Sequence, residues 1–261
     1  MSQLHASIRV DVDVANPGQF FACCGLLELA DRLWPGAEGW FESPHFCVTC
    51  AGSLRMLIER AGEATLNQVD PSDPMSSPIE ISDPFRPIRL DWWRDDQSGS
   101  KDLKVWAGSM EGVRITRAMQ RAIREERYRT GALFNIGTVV YDESGKKVEP
   151  FYFDARRAIN AHSRDVGFSP NDLQLTTTAF PAVEFFCLIG LQRARPKATN
   201  ERRVFEYSSW AHPLSAELIS VAVAGHLPYR GFRTYRFESW FRTGQRKHKS
   251  FRPAIRITQG D

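Results

Sequence analysis

Apolar and polar residues alternate in the segment SIRVDVDV, residues 7–14, where isoleucine and valine occupy every second position. A period of two residues predicts a β-strand with one buried face. Asn16-Pro17-Gly18 interrupts this pattern, and from Gln19 to Leu33 the apolar residues recur at helical spacing until Pro35-Gly36. The chain is therefore predicted to begin with a strand, a tight turn and an apolar helix.

Similar patterns along the rest of the chain predict further elements. Residues 111–129 form an amphipathic helix pattern, with arginines away from the apolar side. Pro181 suits the first turn of a buried helix in residues 179–193, and the proline-rich residues 70–87 indicate a surface excursion or a linker. Strands are predicted at 39–41, 45–50, 88–93, 138–141, 148–153 and 204–210, and helices also at 53–61 and 214–224.

Strands and helices follow one another without strict alternation, which predicts an α+β fold with mixed antiparallel sheets and several packed helices. The chain has 261 residues, of which 42% are hydrophobic and 25% charged, a composition typical of soluble globular proteins. No apolar run approaches the roughly 18 residues that span a bilayer, and the N-terminus lacks the pattern of a signal peptide. We therefore expect a cytoplasmic protein without a membrane partner.

Charge is distributed unevenly along the chain. The net charge is +3, but residues 226–261 contain nine lysines or arginines and two acidic residues, giving +7 and leaving +3 − 7 = −4 for residues 1–225. This divides the chain into an α+β body, 1–225, and a basic, aromatic-rich C-terminal segment, 226–261, which we expect to pack on the body. A concentrated positive charge favours a polyanion as partner.

The C-terminal segment interleaves aromatic residues with cations. The rings are expected to anchor strands to the core while the cations line the surface, which favours contact with nucleic acid. An acidic protein partner, or no specific role, remains an alternative. The candidate nucleic-acid-binding residues here are Arg230, Arg233, Arg236, Arg242, Arg246, Lys247, Lys249 and Arg252.

Five cysteines occur in a chain without an export signal, which predicts free thiols. Cys23 and Cys24 would have to combine with Cys47 and Cys50 to form a zinc site. Adjacent residues on a helix diverge by about 100°, and Cys47 and Cys50 would point to opposite faces of a strand. Buried packing is therefore the favoured role of the cysteines, and no metal or other cofactor is expected.

A cluster of ionisable residues follows the strand predicted at residues 148–153, in the segments DARR (154–157) and HSRD (162–165). Arg156, Arg157 and Arg164 are suited to hold phosphates, with the aspartates as their partners. A purely structural loop and proton transfer by His162 are the alternatives. No HExxH or GxSxG motif is present.

Two tryptophan-bearing segments, LDWWR (90–94) and KVWAG (104–108), place rings beside cations. This combination is used by proteins that bind single-stranded nucleic acid, and makes Lys104 a further candidate contact. Burial in the core is the ordinary role of tryptophan and remains the alternative.

The opening turn contains one glycine and neither GxGxxG nor GxxxxGK[ST], which disfavours nucleotide binding. A single phosphate contact at the helix N-terminus and a purely structural turn remain open.

Four segments resemble a CRISPR-associated family in the order of their motifs and in their local sequence: NPGQFFACCGLLELADRLWPGAEGWF, LDWW, LKVWAG and FYFDARR…VGFSP. The family is the short large-subunit-like component of the subtype I-U (also called I-G) Cascade complex, the Cas-eight-u type, and the resemblance covers residues 8–180.

This resemblance implies a non-enzymatic subunit of an RNA-guided surveillance complex that acts in antiviral defence. Its expected partners are guide RNA, target DNA at the short flanking motif (PAM recognition) and other Cascade subunits. On this interpretation Asn16 and Gln19 are expected to be exposed beside the turn, where they would contact base edges or the backbone. The alternative function is a CRISPR-type RNA-processing endoribonuclease using His162 with Arg156 and Arg157, and a third is a scaffold that binds only proteins.

Overall fold

The computed structural model of this chain describes residues 5–94, 100–107, 110–157, 178–227, 231–242, 246 and 248–257, without the side chains of Ser100, Lys101 and Arg157. It shows an α+β fold in which helices pack against three antiparallel sheets. The fold class predicted from the mixture of helical and strand patterns is confirmed. None of the helices in the described ranges is long and apolar enough to cross a membrane.

The helices differ in how far they are buried. In α1 the residues from Pro17 to Ala30 are all buried, and in α5 those from Pro181 to Leu191 are. Helices that are apolar on all sides occupy the centre of a core, and these two pack directly against each other. The described helices are α1 (Pro17–Leu33), α2 (Leu54–Glu63), α3 (Ser100–Leu103), α4 (Gly112–Ala122), α5 (Pro181–Arg193) and α6 (Ile219–Val223).

The first sheet has the strand order β1-β3-β2-β9. Its register places Val10 of β1 opposite Phe46 of β3, and both side chains are buried. The strands predicted in residues 39–41 and 45–50 are confirmed as β2 and β3. The four strands are β1 (Ile8–Asp11), β2 (Glu38–Glu42), β3 (His45–Thr49) and β9 (Leu214–Ser215).

The second sheet corrects two predictions. It consists of β4 (Thr65–Gln68), β5 (Ile79–Ser82) and β6 (Ile88–Leu90) in that order. The proline-rich segment, predicted as a surface excursion or linker, thus contains β5, whose two isoleucines are buried. The strand predicted to reach residue 93 ends at Leu90, because the backbone turns there: the N–H of Asp91 donates to the Gln192 side chain (3.1 Å) and the N–H of Arg94 donates to the carbonyl of Asp91 (2.9 Å).

The third sheet joins the C-terminal segment to the rest of the chain. β10 pairs with β8 over six positions, from Arg233 opposite Ser209 to Glu238 opposite Val204. The inward side chains include Phe237, whose ring meets Phe21 of α1 at 6.3 Å. The strands are β7 (Lys197–Ala198), β8 (Val204–Ser209), β10 (Arg233–Phe241), β11 (Lys249–Phe251) and β12 (Ile255–Ile257), in the order β11-β10-β8-β7 with β12 also paired to β10.

Two helix predictions are too long. α4 ends at Ala122, and a separate 3₁₀ turn at Glu126–Tyr128 follows it. The helix predicted in residues 214–224 is replaced by β9, a 3₁₀ turn at Ala216–Leu218 and the short α6. The reason is tertiary pairing, because Leu214 lies opposite Gly39 of β2 and is buried there. Further 3₁₀ turns are found at Leu133–Asn135 and Ala155–Arg157.

Candidate nucleic-acid interface

The opening turn is buried, which contradicts the exposure expected for Asn16 and Gln19. Asn16 is 3% exposed and Gln19 is 2% exposed. The side-chain oxygen Oδ1 of Asn16 accepts hydrogen bonds from the backbone N–H groups of Gly18 (3.1 Å) and Ala155 (3.0 Å), so this side chain caps α1. Gln19 accepts one from the N–H of Asp13 at 2.7 Å. Both amides are therefore structural, and neither is available to a base edge.

The DARR segment forms a structural clamp around Asp154. This fully buried carboxylate accepts from the Asn16 amide (3.0 Å) and makes a two-pronged ion pair with Arg156 at 2.9 and 2.6 Å. Arg156 also donates to the side-chain oxygen of Asn135 (3.1 Å) and to the carbonyl of Phe134 (2.6 Å). With four hydrogen bonds made inside the protein, Arg156 has little donor capacity left for a phosphate.

A second buried carboxyl, Glu184 in the first turns of α5, lies beside this clamp. Its oxygens accept from the backbone N–H groups of Phe153 and Asp154, each at 3.3 Å. Burial raises the pKa of Glu184 to about 8, and the neighbouring Asp154 charge adds to the effect. Two carboxyls in one buried site favour protonation of one of them, and here that is Glu184.

Of the six described cations that were predicted to bind nucleic acid from the C-terminal segment, three are engaged by carboxylates within 3.5 Å. Arg236 pairs with Glu206 at 2.7 Å, Arg252 with Glu238 at 3.4 Å and Lys249 with Asp102 at 3.5 Å. Burial lowers the pKa of Lys249, against the opposing effect of Asp102. Arg236 and Arg252 thus lie at the surface, as expected, but each is paired with a carboxylate, whereas the Lys249 side chain is only 12% exposed.

Arg242 is also withdrawn from the surface. Its side chain is 9% exposed, its guanidinium carbon lies 3.5 Å from the centre of the Tyr152 ring, and its nearest carboxylate is Glu149 at 4.0 Å. Burial lowers the pKa of Arg242. This arginine stabilises the contact between β10 and the segment before the DARR turn.

The tryptophans of the two predicted stacking segments belong to the core. Trp92, Trp93 and Trp106 are 0%, 6% and 4% exposed and pack edge to face against one another. Lys104 lies 4.7 Å from the Trp106 ring, and burial lowers the pKa of its ammonium group. The core interpretation is confirmed, and these rings are not available to stack on bases.

A different tryptophan is exposed. Trp240, which the sequence interpretation assigned as an anchor, is 40% exposed near the end of β10. The Arg252 guanidinium lies 5.2 Å from its ring. Alternation along β10 places Trp240 on the same face as Arg236. In the strand register, Arg236 lies opposite Ile255 of β12, which is 65% exposed. This outer face of the third sheet offers a ring and a cation together.

Four arginines form a row that the sequence analysis did not single out. Arg114, Arg117, Arg121 and Arg124 follow one another at intervals of three, four and three residues, which places them on one face of α4 and the turn after it. All four are exposed. The spacing was visible in the sequence, but nothing in it distinguishes a binding surface from an ordinary solvated face.

The acceptors of these arginines differ in charge. Arg114 makes a two-pronged ion pair with Asp142, at 2.9 and 2.5 Å, so its charge is neutralised. The others donate to backbone carbonyls, which leaves their charge uncompensated: Arg117 to Leu66 (3.1 Å), Arg121 to Tyr141 and Asp142 (2.8 Å each), and Arg124 to Gly62 (2.7 Å). In the described part of the chain none of these three forms an ion pair.

The cysteines are free thiols. Cys23, Cys24, Cys47 and Cys187 are buried and Cys50 is half-buried, and burial raises the pKa of Cys47 to about 11. Across the residues that the structure describes, no group of three histidine, cysteine, aspartate or glutamate side chains is arranged to hold a metal ion.

Several predicted residues lie outside the described residues. They are His162, Arg164, Arg230 and Lys247, and for Arg157 only the backbone is described. Arg233 and Arg246 are described, and both are exposed.

None of the protein-family models, curated protein sequences or solved structures compared with this chain matches it.

Proposed function

We propose that this chain is a non-catalytic, nucleic-acid-binding subunit of an RNA-guided CRISPR surveillance (Cascade) complex in the cytoplasm. It would contact guide RNA, target DNA at its flanking motif, or both, within an antiviral ribonucleoprotein. Assignment to Cascade rests on the sequence resemblance alone. The nucleic-acid part rests on the α4 arginine row, by which we mean Arg117, Arg121 and Arg124.

The α4 arginine row is suited to a phosphate backbone because its charges are held in place and not neutralised. A guanidinium has five N–H donors, and the carbonyl bonds use one or two of them. At the helical rise of about 1.5 Å per residue, the seven-residue interval from 117 to 124, which covers the end of α4 and the turn after it, corresponds to about 10 Å. One strand of a duplex carries a phosphate about every 3.4 Å of axis, so the row spans about three phosphates.

A binding role is favoured over a hydrolytic one by the clamp at Asp154. The endoribonuclease alternative requires Arg156 to hold the scissile phosphate. Its hydrogen bonds to Asp154, Asn135 and Phe134 occupy the donors that this task needs.

Removal of charge from the α4 arginine row tests this function. Arg117→Gln, Arg121→Gln and Arg124→Gln keep a donor for the carbonyl and remove the charge. Binding to a labelled single-stranded RNA and to a duplex DNA is measured from 50 to 200 mM salt. For each arginine removed, the slope of log affinity against log salt should become shallower by about 0.7–0.9.

Arg55→Gln is the matched control. Arg55 is an exposed arginine that pairs with Glu59 at 3.2 Å and with Glu126 at 2.6 Å, so its charge is already neutralised. Its variant should keep the wild-type slope. Equal slopes in all variants would remove the support for the proposal, as would failure of the wild-type chain to retain RNA when purified together with the products of its neighbouring genes.

A further inference from the structure

A cavity of about 480 Å³ opens where the connection from β1 to α1 meets the start of β10. Its lining includes the aromatic residues Phe41 and Trp210 together with the polar residues Asp13, Ser43, Arg233 and Tyr235. A volume of this size falls within the range of about 300–1,000 Å³ found for small-molecule sites. Of these residues, only Arg233 was a candidate from the sequence.

Two of the polar groups at this cavity have no side-chain partner among the residues that the structure describes. Neither the Arg233 guanidinium nor the Tyr235 hydroxyl makes a side-chain hydrogen bond or an ion pair with any residue that the structure describes. Asp13 uses one carboxylate oxygen to accept from the N–H of Ala15 at 2.9 Å. A cation, a hydroxyl and a carboxylate therefore border one apolar cavity, and each of these groups can form further hydrogen bonds with a ligand.

The aromatic wall of the cavity is held rigidly. The Tyr235 ring stacks on Tyr207 with centres 5.5 Å apart and planes 14° apart. Tyr207 is anchored in turn, because its hydroxyl donates to the carbonyl of Val14 at 2.7 Å. A wall that is ordered before a ligand arrives reduces the entropy lost on binding.

We infer that this cavity binds one unstacked nucleotide of the bound nucleic acid, an inference that rests on the proposed function. Arg233 complements the phosphate, and the apolar wall that includes Phe41 and Trp210 complements the base. Asp13 and the Tyr235 hydroxyl match the donor and acceptor groups of a base edge. An acidic peptide fits less well, because the lining contains one cation and one carboxylate.

The test uses the full chain and three probes: a labelled single-stranded RNA, adenosine 5′-monophosphate and inorganic phosphate. Adenosine monophosphate should displace the RNA at a concentration at least tenfold lower than phosphate does. Arg233→Gln should weaken binding of RNA and of the mononucleotide about tenfold, through loss of a charge-assisted hydrogen bond. Tyr235→Phe keeps the stacked ring and should weaken both about fivefold.

Lys197→Gln is the matched control, since Lys197 is an exposed cation on edge strand β7 of the same sheet and does not line the cavity. It should bind all three probes as the wild type does, and thermal unfolding confirms that each variant is folded. RNA binding that is unchanged in both cavity variants overturns this inference and leaves the proposed function in place, as does displacement of RNA by an acidic peptide and not by the mononucleotide. A wild-type chain that binds no RNA at low salt overturns both.

Discussion

Gly25 of α1 and Gly190 of α5 face each other where the two central helices cross. A Cβ atom on Gly25 would lie 2.0 Å from the carbonyl oxygen of Phe186, and one on Gly190 would lie 1.9 Å from that of Phe21. Each would also come within 3 Å of the other glycine's backbone nitrogen, at 2.9 and 2.8 Å. The two helix backbones are therefore in direct contact, and any side chain here would force them apart.

Gly25→Ala and Gly190→Ala should each lower the free energy of unfolding by about 3 kcal/mol or more, because the obstacle is backbone and not a movable side chain. Urea unfolding followed by circular dichroism measures this loss. Gly112→Ala is the control, since the atom nearest to its added Cβ is Ile79 Cδ1 at 3.8 Å. It should be neutral or stabilise by up to about 1 kcal/mol. Equal effects at all three positions would contradict the tight crossing.

Glu184 should make stability decrease at alkaline pH. Its pKa is raised from 4.5 to about 8 in the folded chain, so between these values the folded state holds a proton that the unfolded state releases. Its contribution is complete below pH 4.5 and is lost as pH rises through 8. Glu184→Gln should remove this slope, so that between pH 6 and pH 9 the wild type loses stability on the order of a few kcal/mol more than the variant.

Chemical unfolding at a series of pH values measures this difference. Glu63→Gln serves as control, because Glu63 is 66% exposed and close to Arg60 at the surface. Its pH profile should follow that of the wild type. A Glu184→Gln profile that also follows the wild type would show that this carboxyl is ionised in the folded protein.

Asp154 and Arg156 should contribute to stability and not to binding. Asp154→Ala leaves Arg156 and the Asn16 amide without their shared acceptor, which should cost about 2–4 kcal/mol. Arg156→Gln should destabilise by a similar or smaller amount, since its side chain is 35% exposed. For both variants, RNA affinity corrected for the folded fraction should equal that of the wild type. A selective loss of RNA binding in folded Arg156→Gln would restore the phosphate-holding role.

Trp240 should contribute to binding of single strands. Trp240→Ala should weaken single-stranded RNA about fivefold or more, because stacking of one base on an aromatic ring contributes about 1–3 kcal/mol. Trp240→Phe should recover most of the affinity, since it restores a ring. Leu218→Ala removes another exposed apolar side chain, 42% exposed, and should have no effect on fluorescence anisotropy titrations. A loss of RNA affinity in Leu218→Ala comparable to that in Trp240→Ala would show that the effect of Trp240→Ala does not come from base stacking.

The arginines show how far sequence reasoning about the site could reach. Clustering of charge correctly identified residues 226–261 as unusually basic, yet Arg236, Lys249 and Arg252 meet carboxylates from β8, from α3 and from within β10. Whether a cation is neutralised depends on which strands become neighbours. For the same reason the α4 arginine row could not be recognised from its spacing, since its carbonyl acceptors come from distant segments.

The sequence by itself determined the local elements whose pattern is strong: the predominantly apolar helices α1 and α5, the short strands β2 and β3, and the α+β class that their mixture implies. These follow from the period of apolar residues, which is a local property of the chain. Only the tertiary structure decided that Asn16 is buried, because its partner Asp154 lies 138 residues away. It also decided which tryptophan reaches solvent and which arginines have no carboxylate partner among the described residues. Burial and ion pairing both depend on contacts between segments far apart in sequence.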